Sequence, residues 1–138
     1  MRINITSAQG SIKVSPKEVR RLVRKTLFLE NNCSPGEINI ILIDDAQMKE
    51  LNLLYSGRFL ATDVISFDDS INSREILADI AVSTQTALRQ ARVFRTTPVH
   101  EVYLYIIHGL LHLLGYDDKG PRQRRVMNKR AEYILEGK

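Results

Sequence analysis

The segment Thr97–Pro121, TPVHEVYLYIIHGLLHLLGYDDKGP, decides how this chain folds. Thr97 and Pro98 make a helix start: a hydroxyl suited to capping, then a proline at the first helical position. Behind them Val102, Tyr103, Ile106, Ile107 and Leu110 recur at helical spacing. Gly115 ends the helix, because glycine most readily takes the left-handed conformation that follows a helix. The run around Val102–Leu114 is the longest apolar stretch, but it carries two histidines and falls short of the roughly 20 apolar residues that span a bilayer. It reads as the central helix of a globular core.

Working outward, Pro121 begins a final amphipathic helix carrying Val126, Met127, Ile134 and Leu135. On the other side, Ser83 opens a helix through about Phe94, and Glu75–Val82 (EILADIAV) reads as a strand. Thr62–Phe67 (TDVISF) is another strand, followed by a turn at Asp68, Asp69 and Ser70. Glu37–Ile43 (EINIILI), β-branched and apolar, predicts a mostly buried strand. Asp44 or Asp45 caps a helix to about Leu54, with Met48, Leu51 and Tyr55 facing inward. Arg2–Ile5 alternates like a short strand. Ser15, Pro16 and Glu18 have the pattern of a capping box, ahead of Val19, Leu22, Val23 and Leu27 on one helix face and Lys17, Arg20, Arg21 and Arg24 on another. The order is strand, helix, strand, helix, strand, strand, then three helices. The expected fold class is α+β: a small mixed sheet packed with several helices, one domain over residues 1–138.

Composition agrees. The chain has 138 residues, 43% hydrophobic and 26% charged, which excludes wholesale disorder, a collagen-like fibre and a coiled-coil rod. The opening MRINITSAQG has no apolar signal core, and the single cysteine, Cys33, forms no internal disulfide; both fit a cytoplasmic protein in a reducing compartment. Neither a glycine-rich phosphate loop nor a dinucleotide fingerprint occurs. The net charge of +4 is unevenly spread: residues 1–30 and 119–138 each hold seven Lys/Arg and two Glu, and residues 31–118 hold six Lys/Arg against twelve Asp/Glu. Two basic ends around an acidic centre suit a polyanion gripped about a cation-dependent site, or simply two solvated helices.

The chemistry lies in His108-Gly-Leu-Leu-His112-Leu-Leu-Gly115-Tyr116-Asp117-Asp118. Residues four apart share a helix face, so both imidazoles can converge on one ion, and the break at Gly115 lets a side chain at 118 return to it. Two neutral imidazoles and a carboxylate match a catalytic zinc site that keeps a position open for water. The expected ligands are His108, His112 and Asp118, at the C-terminal end of the central helix, with Asp117 as the competing carboxylate. The spacing also matches the metalloprotease pattern HExxHxxGxxH/D, except that Gly109 stands where the general-base glutamate belongs. Hydrolysis of a peptide therefore ranks below other metal-dependent hydrolysis.

HGLLHLLGYD at 108–117 resembles the signature of the YbeY-type ribosomal RNA maturation factors. Leu51, Asn52 and Tyr55, then TDVISF at 62–67, resemble that family's LN–Y–TDVLSF segment. LADI at 77–80 resembles its LGDI strand, and Glu101, Met127 and Glu132 also fit. The resemblance implies a metal-dependent, single-strand-specific endoribonuclease that matures the 3′ end of small-subunit ribosomal RNA and serves ribosome quality control. It implies ribosomal RNA and the small subunit as partners and one divalent ion, Zn2+ first among candidates. Two positions depart from the family pattern. Asp118 replaces its third histidine, leaving a formal +1 rather than +2 on the ion, which makes bound water less acidic and loosens the preference for zinc. Ser56 stands where an arginine commonly follows the tyrosine; Arg58, two residues on, is the candidate catalytic phosphate contact, or else a solvated turn residue.

Plainer readings attach to the rest. His100 reads as a surface or packing residue and Cys33 as incidental. Asp63 and Asp79 read as structural hydrogen-bonders, with a place near the metal cleft as the alternative, and Glu101 stands two turns before His108 on the same face. The rival functions are a ribosome-associated metal-binding factor with little nuclease activity and, less favoured, a metalloprotease. Low aromatic content, 7% without Trp, offers no long stacking platform, so recognition is expected to lean on RNA shape and a ribosomal partner.

Overall fold

In a computed structural model, described over residues 1–8, 12–32, 35–56, 63–69 and 75–137, the elements follow the expected order. They are β1 (Arg2–Ser7), α1 (Pro16–Leu29), β2 (Gly36–Ile43), α2 (Asp45–Ser56), β3 (Val64–Asp68), β4 (Ile76–Ser83), α3 (Thr84–Phe94), α4 (Pro98–Leu113) and α5 (Pro121–Glu136). The strands form one mixed sheet in the order β1-β2-β4-β3, with β1, β2 and β4 parallel and β3 antiparallel on the β4 edge. The parallel pairs need crossovers, which α1 supplies between β1 and β2. Cys33, Arg58, Thr62 and Ser70 lie outside the described residues.

Alternation along the strands splits the sheet into two faces. Ile38, Ile40 and Leu42 of β2, with Ile80 and Val82 of β4, meet α1 and the sheet-facing side of α4 (Val102, Tyr105, Ile106, Leu110). Ile41 and Ile43, with Ala81, turn the other way onto Met48 and Leu51 of α2. A third cluster, Leu22, Ile107, Leu111, Met127, Ala131 and Ile134, locks α1, α4 and α5 together. The central helix is thus held between the sheet and α5, with one further face left for chemistry.

At Gly109 the central helix packs closely on the sheet. A Cβ there would lie 2.8 Å from Ser66 Oγ, 3.0 Å from Ile80 Cγ2 and 3.1 Å from Val64 Cγ2. Ser66 Oγ donates to the Gly109 carbonyl at 3.0 Å, tying α4 to β3. The other sheet face carries a polar row in register: Asn4 Nδ2 donates to Asn39 Oδ1 at 2.8 Å, and Asn39 Nδ2 donates to Asp79 Oδ1 at 3.0 Å. Asp79 is therefore a structural hydrogen-bonder, as the sequence suggests.

Four local expectations need correction. Tyr55 does not face inward: it is 62% exposed, with its ring against Phe67, centroids 4.0 Å apart. Val126 is exposed as well, because the buried stripe of α5 is Met127, Ala131 and Ile134, spaced by four and three. Asp68 belongs to β3, not to the turn. At α1 only half of the capping box forms: Ser15 Oγ accepts from the Glu18 N–H at 3.2 Å, while the Glu18 carboxylate turns to Arg21. At α2 the choice resolves to Asp44, whose Oδ1 accepts from the Gln47 N–H at 2.8 Å.

Candidate metal centre and cleft

Glu101, Tyr105, His108 and His112 are spaced by four, three and four along α4 and so share one face. Glu101 is 3% exposed and accepts from Thr96 Oγ1 at 2.7 Å. Below this face lies a cleft of about 850 Å³ between α3, α4 and α5, whose walls include Asp63, Arg89, Glu101, His108, Asn128 and Glu132. Asp63 both lines it and serves structure: its carboxylate accepts from the Val64 N–H at 2.8 Å and its carbonyl from the Ser83 N–H at 2.9 Å. His100, half-buried at the mouth, approaches Glu136 at 3.5 Å.

His108 supplies the most telling atom. Its Nε2 is buried with no hydrogen-bond partner among the described residues, an arrangement proteins avoid unless the atom has another use. Burial holds its imidazole below the ordinary value; His112 adds to that effect, while Asp63, Asp118 and Glu101 oppose it. A neutral imidazole keeps its lone pair for a Lewis acid. Tyr105 is pushed upward, first by burial and then by Glu101 and Asp63, so its hydroxyl stays protonated.

One turn on, α4 ends as the sequence predicts. Leu114 is the last residue before Gly115 at φ +104°; the Gly115 N–H donates to His112 O at 3.1 Å and the Tyr116 N–H to Leu111 O at 2.9 Å. This paired closure reverses the chain. The two candidate carboxylates then part. Asp117 Oδ1 accepts from the Lys119 N–H at 2.8 Å, closing a local turn. Asp118 Oδ2 comes back to His112 Nε2 at 3.3 Å, and Arg124 Nη1 donates to the Asp118 carbonyl at 3.3 Å.

The structure thus pairs His112 with Asp118, places His108 a turn away on the cleft wall, and leaves Arg58 outside the described residues. Among the described residues, no group of three His, Cys, Asp or Glu side chains is placed to hold a metal ion. In donor chemistry alone, two imidazoles and a carboxylate match a zinc ligand set. Two ligands at about 2.1 Å in a tetrahedral shell stand about 3.4 Å apart, and His112 and Asp118 stand at 3.3 Å. Of the basic residues on α1, Arg20 donates to Ile3 O and Arg21 to Glu18.

Two features escape a sequence reading. Arg89 of α3 reaches the cleft wall paired with Asp45 at 2.6 Å. Tyr116 OH donates to Glu30, which also accepts from Arg130 Nε at 2.6 Å. These partners are 44, 86 and 100 residues apart, with no local pattern to announce them.

Fold and site define a small α+β protein with two histidines and a carboxylate at the end of its central helix. The model of the YbeY family, described as Endoribonuclease YbeY, matches residues 4–137, and the chain belongs to that family. Curated relatives named Endoribonuclease YbeY include that of Syntrophus aciditrophicus, 35% identical over 98% of this chain and 88% of the relative. That of Desulforamulus reducens is 34% identical over 99% and 96%. The solution structure of TM1509 from Thermotoga maritima superposes with a TM-score of 0.62 at 26% identity, covering 98% of this chain and 89% of that one. No helix among the described residues is long and apolar enough to cross a membrane.

Proposed function

We propose that this chain is a metal-dependent endoribonuclease, specific for single-stranded RNA, that acts in maturing the 3′ end of small-subunit ribosomal RNA and in ribosome quality control in the cytoplasm. The observation that carries the reading is the buried His108 Nε2, without a hydrogen-bond partner among the described residues, one helical turn from the His112–Asp118 pair. Support for the substrate class comes from relatives named Endoribonuclease YbeY. His108, His112 and Asp118 would hold one divalent ion, zinc first. Such an ion polarises the scissile phosphate, lowers the pKa of water, or both.

The chain's own residues do the rest. His108 offers a buried lone pair on the cleft wall, and the Gly115 turn brings Asp118 to His112. Exposed arginines such as Arg24 on α1 neutralise backbone phosphates, and Arg58 is the candidate for the phosphate nearest the reaction. A peptidase reading has no support in the geometry. The residue after the first histidine is Gly109, seated against Ser66, Ile80 and Val64, so a carboxylate there would point into the sheet. The second reading, a ribosome-associated metal-binding factor with little nuclease activity, is favoured by Asp118 in place of the family's histidine and by Ser56.

The test is cleavage of a single-stranded ribosomal RNA fragment, with its duplex as control, by untagged wild type and His112→Ala, with zinc, manganese or nickel omitted and then restored. Cleavage of the single strand alone, recovered by metal in wild type and reduced at least 100-fold in the variant, is expected. Metal-restored wild type no more active than the variant supports the binding-factor reading instead.

A further inference from the structure

The segment Tyr116–Gly120, which carries Asp118, has little core of its own: Asp117, Asp118 and Lys119 are exposed. It is nonetheless anchored from outside. Tyr116 OH stands 3.1 Å from both Glu30 carboxylate oxygens, and Glu30 is the residue on which α1 ends. The Glu30 side chain is only 15% exposed. Arg130 of α5 donates through Nε to Glu30 at 2.6 Å and through Nη2 to the Leu29 carbonyl at 3.0 Å, with its guanidinium 5.4 Å from the Tyr133 ring centroid. One carboxylate thus joins the end of α1, the middle of α5 and the residue two before Asp118. The linkage is charge-assisted and mostly sheltered, the stronger kind of hydrogen bond.

We infer that Tyr116, Glu30 and Arg130 form a positioning brace that holds Asp118 against His112. The inference rests on the proposed metal role of that pair. Asp118 depends on the brace because its carboxylate lies on an exposed turn whose other fixings are few: the Asp117–Lys119 turn, the Arg124 contact to its carbonyl and the packing of the Tyr116 ring against the Leu22–Ile134 cluster, which Tyr116→Phe keeps. The Arg124 contact reaches the turn only from the first turns of α5, whereas the Tyr116 hydroxyl ties it to the end of α1 and, through Glu30, to Arg130 in the middle of α5. Without its hydroxyl, residue 116 still closes the end of α4 through its backbone N–H, so the helix ends as before and the turn beyond it loosens.

The test uses Tyr116→Phe and Glu30→Gln, which keeps an acceptor for the tyrosine but loses the charge facing Arg130. Zinc affinity is measured by competition with a chelator, and backbone 15N relaxation of residues 117–119 is recorded in the metal-free proteins. Tyr116→Phe is expected to weaken zinc about 10-fold, within the range for ligand-orienting partners, with Glu30→Gln between it and wild type. Order parameters at 117–119 fall toward those of a flexible segment, below about 0.6. In an Asp118→Ala background Tyr116→Phe has no further effect on zinc, because its route runs through Asp118. An equal loss in that background makes the residue merely structural and overturns the inference, as does zinc affinity within two-fold of wild type with a rigid turn. Should wild type bind no zinc, the metal reading fails on its own, and relaxation of the metal-free turn then decides the brace.

Discussion

At the scale of single residues, Gly109 explains more than its size suggests. Its missing Cβ lets α4 lie on β3 and β4 close enough for Ser66 to hydrogen-bond the helix carbonyl. Gly109→Ala gains about 1 kcal/mol in helix propensity but brings a methyl within 2.8–3.1 Å of three side chains, two of them β-branched and fixed in strands. With two of the three neighbours fixed in strands, the overpacking cost falls in the upper part of its usual range, about 2–3 kcal/mol, and outweighs the gain. The variant is expected to be about 1–2 kcal/mol less stable in urea unfolding, with its slope unchanged; equal or greater stability would mean the sheet yields there. The His108/His112 spacing and the Gly115 stop were legible in the sequence because they are local and obey helix geometry. The choice between Asp117 and Asp118 was not, since it depends on which carboxylate the turn spends on its own backbone.

Among elements, the N-cap residues and periodicities were read correctly for α1, α3 and α4, where Ser15, Ser83 and Thr97 each accept a backbone N–H three residues on, though Glu18 does not complete the capping box of α1. Two apolar residues lie outside the core: Tyr55 near the end of α2, where little covers it, and Val126, which falls off the Met127, Ala131 and Ile134 stripe of α5. The junction of α2 with α3 hangs on Asp45, which accepts from Ser83 Oγ at 2.7 Å, Thr86 Oγ1 at 3.1 Å and Arg89 Nη1 at 2.6 Å. Burial alone would raise its carboxyl; the hydrogen bonds from Arg89, Ser83 and Thr86, with the Arg89 charge, outweigh that and hold it below the ordinary value of 3.8. A carboxyl depressed in the folded state takes up its proton more readily when unfolded. Its stabilisation is therefore full above the unfolded value and lost as pH falls through the folded one. Asp45→Asn is expected to cost about 1.5–3 kcal/mol near neutrality. The gap to wild type should hold steady down to about pH 4 and close below it. A gap independent of pH across that window, measured by urea unfolding, would show that charge plays no part.

For the whole molecule, the sequence pattern of strands and helices gave the class of fold, since alternating β-branched and helical runs leave few ways to bury both. It did not give the strand order β1-β2-β4-β3 or the meeting of α1 with α5, which share the cluster around Leu22 and Ile134. That meeting brings the two basic helices of the chain together, and the Glu30–Arg130 pair is one seam between them. The central claim is that His108, His112 and Asp118 hold one divalent ion at the end of α4. The most direct measurement is anomalous diffraction at the zinc edge from crystals of the untagged, zinc-loaded protein. One anomalous peak in contact with His108 Nε2, His112 Nε2 and the Asp118 carboxylate is the result expected; no peak there, or one held by Asp117 without His108, would contradict it.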